Sequence, residues 1–220
     1  MIGLMMKMNR VEVIEDYLDE LFPHPKCELN YNNDYELLIA IVLSAQTTDK
    51  RVNSVTPMLF GKYSTLEKLM NADIKDVEVI LRPLGSFRKK ASYVKEIARI
   101  LVSIYNGKVP TNRKCLEAMP GVGRKTVNVF LGEFYNIPTI AVDTHVERVS
   151  KRLGLAKDSD DVRGVEEKLK RKFKREDWAK RHLQLVLFGR YHCKAISPNC
   201  EECKLNSICK YKKRGCREIK

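Results

Sequence analysis

Apolar residues in this chain recur at helical spacing along nearly its whole length, and no segment alternates for long enough to build a sheet. Residues 35–45 are almost wholly apolar. Leu37, Leu38, Ile41, Val42 and Ala45 share one face, which predicts a buried central helix capped by Asn33 or Asp34. Ser64-Thr-Leu-Glu67 has the form of a capping box at a helix start. Through 91–105, Val94, Ile97, Ala98, Leu101, Val102 and Tyr105 repeat every three or four residues, and Gly107 ends that helix. Further helices are expected at 165–173 and 178–188. Apolar runs such as 137–142 are too short and isolated to pair. The expected fold is all-α, with eight to ten helices joined by short loops and no internal repeat.

The chain is 220 residues long and 44% hydrophobic, enough for a real core, and its ordinary composition excludes a disordered or fibrous protein. The longest uncharged stretch, 37–48, is too short to span a bilayer. The first residues, MIGLMMKMNRVE, lack the order of charge, apolar run and cleavage site of a signal peptide. A soluble cytoplasmic protein with no membrane partner is expected. The formal net charge is +13, from 41 Lys+Arg against 28 Asp+Glu. Such a balance suits an anionic partner, most often nucleic acid, or simply lysine-rich solvated helices. Two segments hold most of the excess: 168–181, with 8 basic and 2 acidic residues, and 210–220, with 6 and 1. The Lys-rich stretch at 168–175 in the first reads as a solvated helix face, and the second segment as a frayed tail.

Seven cysteines, an odd number with no export signal, argue against a disulfide framework. Four of them, Cys193, Cys200, Cys203 and Cys209, crowd into C-x6-C-x2-C-x5-C. Four thiolates suit a structural zinc ion or a four-iron cluster. Zinc ribbons usually present two C-x-x-C pairs and only Cys200–Cys203 forms one, which tilts the reading toward iron–sulfur. Cys27, Cys115 and Cys216 default to small buried or tail residues.

The most informative stretch is 115–132, CLEAMPGVGRKTVNVFLG. A short helix at 116–119 is expected to end at Pro120. Gly121 and Gly123 permit positive φ in a tight turn, and a second helix starts at Arg124. Glycines there keep side chains from holding a phosphate away, so the N–H groups at the second helix's start can face an anion with the helix dipole behind them, which makes Gly121, Val122, Gly123 and Arg124 candidate DNA contacts. A plain helix–turn–helix corner is the simpler reading. Lys125 sits in the first turn of the second helix. The dipole and Arg124 both favour its neutral, nucleophilic amine, although a phosphate-contacting lysine has the same position.

Farther on, in Val142-Asp143-Thr144-His145-Val146-Glu147, Thr144 and Glu147 suggest a capping box for a helix starting at His145. Asp143 would then lie just outside it, at an exposed corner. There it either favours the helix start or holds a carboxylate near positive charge developing on a sugar. His24, His145, His182 and His192 have no metal-ligand spacing and read as structural or surface residues.

Taken together, MPGVGRKTVNV, PTIAVDTHV, the cysteine spacing and LSAQTTD at 43–49 resemble the helix-hairpin-helix DNA glycosylases, in particular the endonuclease III branch. The resemblance runs from about Leu37 to Tyr211. It implies two helical domains flanking a DNA-binding cleft. One, at 27–137, is a six-helix barrel holding the hairpin. The other, 1–26 plus 138–220, carries a [4Fe–4S] cluster on Cys193, Cys200, Cys203 and Cys209. The implied activity is base excision repair on double-stranded DNA with damaged bases or abasic sites, by a monomer. Lys125 matches the lysine that attacks C1′, expels an oxidised pyrimidine and forms a Schiff base before β-elimination cuts the strand 3′ to the lesion. Asp143 matches the carboxylate that stabilises positive charge on the sugar. Gln46 matches a residue that fills the space left by the flipped nucleotide. The 84–90 segment, with Ser86, Phe87 and Arg88, looks like the one carrying a second wedge. Relatives often place a bulky apolar residue where this chain has Ser86. Phe87 could serve instead, or it is a core aromatic.

Overall fold

The computed structural model describes residues 9–213, and every regular element among them is helical. The apolar first residues, Cys216 and most of the basic tail lie outside the described residues. The helices are α1 (Arg10–Leu21), α2 (Asp34–Leu43), α3 (Asp49–Lys62), α4 (Leu66–Met70), α5 (Ile74–Leu81), α6 (Phe87–Tyr105), α7 (Arg113–Glu117), α8 (Arg124–Tyr135), α9 (Thr144–Arg152), α10 (Val162–Lys172), α11 (Trp178–Leu187) and α12 (Lys210–Lys213). Twelve α-helical segments among the described residues exceed the eight to ten expected, and three of them, α4, α7 and α12, have only five, five and four residues. Such one-turn helices are too short to leave an apolar stripe in the sequence. A π-helical turn, Phe188–His192, follows α11 where the sequence suggested one continuous helix to 188. None of the helices is long and apolar enough to cross a membrane.

The described residues divide into two units, one spanning Cys27–Asn136 and the other made of the chain before and after it. In the first, α2 is the axis. Every residue from Glu36 to Leu43 is buried, so the helix is apolar all round rather than amphipathic. Asn33 caps it, accepting from the Glu36 N–H at 3.0 Å, and Asp34 is its first residue. The one carboxylate in the buried run, Glu36, is satisfied by the backbone and side-chain N–H groups of Asn32 at 2.8 and 2.9 Å. Helix α6 packs its Val94, Ile97, Ala98 and Leu101 stripe into this core together with α4 and α5. It begins four residues before Ala91 and ends with Asn106 and Gly107 both in the left-handed region, the Gly107 N–H reaching back to the Leu101 carbonyl.

The second unit is built on Ile14, Tyr17 and Leu18 of α1, Val146 and Val149 of α9, Val165 and Leu169 of α10, and Leu185 of α11. A polar clamp fixes α1 to α11. Arg181 donates to both oxygens of Asp19 at 2.8 and 3.1 Å, and Gln184 donates to Asp19 Oδ1 at 2.8 Å and to the carbonyls of Leu18 and Phe22. Burial would raise the pKa of Asp19, but hydrogen bonds from Arg181, Lys180 and Gln184 outweigh it and hold the carboxyl well below the usual range. The basic run at 168–181 is less free than a solvated face. Lys168 pairs with Asp160, Lys170 with Glu166, Lys180 with Asp19, and Arg181 with both Glu15 and Asp19.

One expected cap is shifted. Thr65, not Ser64, caps α4 by accepting from the Lys68 N–H at 3.2 Å, while the Ser64 hydroxyl accepts from the Lys68 ammonium. Seven other α-helices, namely α1, α2, α3, α5, α7, α9 and α10, also start under a side-chain cap. Helices α6 and α8 start with no side-chain bond to their first N–H groups.

Candidate functional site

The stretch around Pro120 is a helix–turn–helix, with its first helix earlier than the sequence suggested. Asn112 accepts from the N–H groups of Lys114 and Cys115, so α7 runs Arg113–Glu117 rather than 116–119 and ends before Pro120. Arg113 donates to Asn128 on α8, tying the two helices together. Of the two glycines, only Gly121 is left-handed, at φ +76°. A Cβ there would lie 2.5 Å from the Tyr93 ring and 3.1 Å from Val42, so the turn is seated on α6 and α2. Gly123 caps α8 in extended backbone, φ −99° and ψ 179°, which any residue adopts, and a Cβ there would meet nothing within 4 Å. The positive-φ requirement therefore holds for Gly121 alone. Gly123 leaves open space in front of a helix start with no side-chain cap. Val122 is buried, whereas Arg124 and Lys125 are exposed. The Lys125 side chain makes no hydrogen bond or ion pair with the described residues.

Two more turns of the same unit carry candidate residues. Gln46 lies between α2 and α3, exposed, with φ +54°, in a turn closed by the Thr47 N–H on the Ser44 carbonyl. Ser86 lies just before α6, also exposed and also at φ +54°. Both conformations are uncommon outside glycine and are held against local preference. Phe87 is half-buried and packs on the core, with the Arg88 guanidinium 5.0 Å over its ring.

Asp143 sits one position nearer its helix than the sequence suggested. It is the N-cap of α9, half-buried, with Oδ1 accepting from the Val146 N–H at 2.8 Å. Thr144 is the first helical residue, and Glu147 pairs with Lys151 instead of closing a box. A four-residue pattern admits either register, and here the carboxylate wins the cap. The bond fixes the carboxylate and leaves Oδ2 without a hydrogen bond among the described residues.

The four clustered cysteines line one cavity, together with Leu153, Phe188, His192, Pro198 and Tyr211. None of the four is in a disulfide. Burial pushes the Cys203 thiol up and the His192 imidazole down. The loop is laced to α9. Arg148 donates to the carbonyls of Gly189 and Cys193 at 2.7 and 3.2 Å. Arg152 donates to the carbonyls of Lys194 and Ala195 at 2.6 and 3.1 Å and reaches the Cys193 sulfur at 3.4 Å. One helix thus carries Asp143 at its start and the cysteine loop along its length.

A family model described as HhH-GPD superfamily base excision DNA repair protein matches residues 39–175. The chain belongs to this superfamily. Among curated relatives, Endonuclease III of Bacillus subtilis is 44% identical over 206 residues, 94% of each chain. Endonuclease III of Escherichia coli K12 is 41% identical over 96% of this chain and 99% of its own. A solved structure described as a trapped Endonuclease III–DNA covalent intermediate superposes with a TM-score of 0.89 at 43% identity, covering 94% of this chain and 98% of that one. A thermostable thymine-DNA glycosylase, at 22% identity and a TM-score of 0.83, shares the fold.

The HhH-GPD match takes in the three turns, Lys125 and Asp143, and stops short of the cysteine loop. Several polar residues of this HhH-GPD chain were not singled out by sequence reasoning. Arg148 and Arg152 look like ordinary helix charges, and Lys90 sits in a basic run, LysLysAla at 89–91. Their own i,i+4 spacing, which puts both on one face of the helix that Asp143 starts, was the only available signal for the arginines.

Proposed function

We propose that this protein is a bifunctional DNA glycosylase and abasic-site lyase that removes damaged, chiefly oxidised, pyrimidines from double-stranded DNA, acting as a monomer in the cytoplasm. The observation that carries the reading is Lys125: an exposed amine in the first turn of a helix with no side-chain cap, engaged by no carboxylate among the described residues, two residues past Gly123 and its open space. A relative at 43% identity was trapped covalently on DNA, which supports a nucleophile of this kind. Lys125 Nζ attacks C1′, the N-glycosidic bond breaks, and the base departs with a proton. The sugar ring opens to a Schiff base. Loss of a C2′ proton then expels the 3′ phosphate, and water hydrolyses the imine to free Lys125. Asp143, its orientation fixed by the Val146 N–H, offers Oδ2 to positive charge developing on the sugar.

The turn around Gly121 and Gly123 and the start of α8 seat a phosphate, the Val122 N–H being already given to the Met119 carbonyl at 3.2 Å, while Gln46, Ser86 and Arg88 meet the duplex around the flipped nucleotide. Phe87, packed on the core, serves as the base of that turn rather than as a wedge. The Cys27–Asn136 unit is the barrel domain and the other is the cluster domain. Cys193, Cys200, Cys203 and Cys209, in no disulfide and gathered on one cavity, suit a [4Fe–4S] group. When bound, it supplies a rigid charged anchor for the 193–209 loop. The test is borohydride trapping on duplex DNA with a defined abasic site, beside excision from thymine-glycol duplex. Wild type is expected to cross-link and to cut both substrates, and Lys125→Ala to do neither. Base release without strand cleavage by wild type would replace the lyase with a monofunctional glycosylase.

A further inference from the structure

Lys90 is the one lysine in the core of its unit, only 5% exposed. No carboxylate among the described residues bonds to it. Burial alone pushes its pKa down, and its ammonium makes a single hydrogen bond, 2.8 Å to the Thr47 hydroxyl. An apolar side chain of equal length would fill this space without removing a charge from water, so what lysine adds here is that bond. The bond joins two turns. Thr47 directly follows Gln46, while Lys90 lies one helical turn beyond Ser86 and donates its own N–H to the Ser86 carbonyl at 3.1 Å. Both turns hold an exposed non-glycine residue at φ +54°. Such conformations persist only where the surroundings over-determine them.

We propose that Lys90 is a positioning residue whose bond to Thr47 holds the Gln46 and Ser86 turns at a fixed separation, and so sets how efficiently a damaged nucleotide is drawn from the duplex. The inference rests on the function proposed above. Lys90 does not touch the reacting atoms. Its loss falls on extrusion of the base, which needs both turns in place, and spares the Schiff-base steps at a site that already lacks a base.

The test uses Lys90→Met, Thr47→Val, their combination, and Thr47→Ser, which keeps the hydroxyl. Amide hydrogen exchange on the DNA-free proteins reads the turns directly. Lys90→Met and Thr47→Val are expected to speed exchange at 45–48 and 86–88 alike, and Thr47→Ser to leave it unchanged. Single-turnover excision of thymine glycol should fall about tenfold or more in either single variant, the loss of one charge-assisted bond. The double variant should be no worse than the singles. Cleavage of a preformed abasic site should fall far less. Exchange unchanged in both single variants overturns the proposal, as does equal loss on the two substrates, which marks general destabilisation. Thr47→Val keeps the test open if Lys90→Met does not fold. A wild type that cuts no abasic DNA defeats the proposed function instead, and the exchange data still decide whether Lys90 positions the turns.

Discussion

Replacing Gly121 and Gly123 by alanine, one at a time, separates the structural work of the hairpin turn from its work on DNA. At Gly121 an alanine must take φ +76°, which costs about 1–2 kcal/mol for an L-residue. Its Cβ would also sit 2.5 Å from the Tyr93 ring and 3.1 Å from Val42. Tyr93 is half-buried and can swing, but Val42 is in the core, so overpacking adds about 1–3 kcal/mol. For a chain of this length, each kcal/mol moves Tm by about 2–4 °C, so Gly121→Ala should lower Tm by something on the order of 10 °C. At Gly123 the backbone is extended and the space is empty. Alanine gains about 0.4–1 kcal/mol by restricting the unfolded chain and loses a similar amount as a poor N-cap, leaving Tm almost unchanged. The added methyl stands where a phosphate would approach the α8 amides. Gly123→Ala should therefore keep the wild-type melting curve and lose about tenfold in affinity for abasic-analogue duplex, measured by fluorescence anisotropy at stated salt. A folded Gly123→Ala protein that binds like wild type would refute the phosphate seat, and a Gly121→Ala protein as stable as wild type would refute the strain argument.

Asp143→Asn keeps a side-chain cap on α9 and should hold Tm near wild type while excision falls by about 10²-fold or more; Asp143→Ala should lose the activity and also about 0.5–2 kcal/mol of stability in thermal melts. Wild type should be more stable than Asp19→Asn by an amount that is constant above about pH 5. Because the folded pKa of Asp19 is depressed, that gap should close only as pH falls below the ordinary carboxylate range, as read by urea denaturation at a series of pH values. Cys200→Ser should remove visible absorbance and iron from the purified protein and loosen the 193–209 loop to limited proteolysis; wild type that is colourless and carries zinc contradicts the cluster assignment.

Much of this architecture is legible because helices write their burial into the sequence, as a continuous apolar run in α2 and a stripe in α6. What was not legible turns on single hydrogen bonds. Nothing in DTHVE at 143–147 says whether Asp143 or Thr144 takes the cap, and the two readings place the carboxylate differently. Two glycines in GVG look alike, yet only the tertiary contact with Tyr93 and Val42 makes Gly121 special. Lys180 and Arg181 suggested free charge, because their partners Glu15 and Asp19 are more than 150 residues away in sequence. Lys90 was hidden for the same reason, since its burial depends on how α6 packs beside the turn holding Thr47.

The central claim is that one amine performs the chemistry. Borohydride reduction of the complex with abasic duplex, followed by protease and nuclease digestion and peptide mass spectrometry, shows which residue carries the sugar remnant. The remnant is expected on Lys125; finding it on another lysine, or on none, contradicts the account.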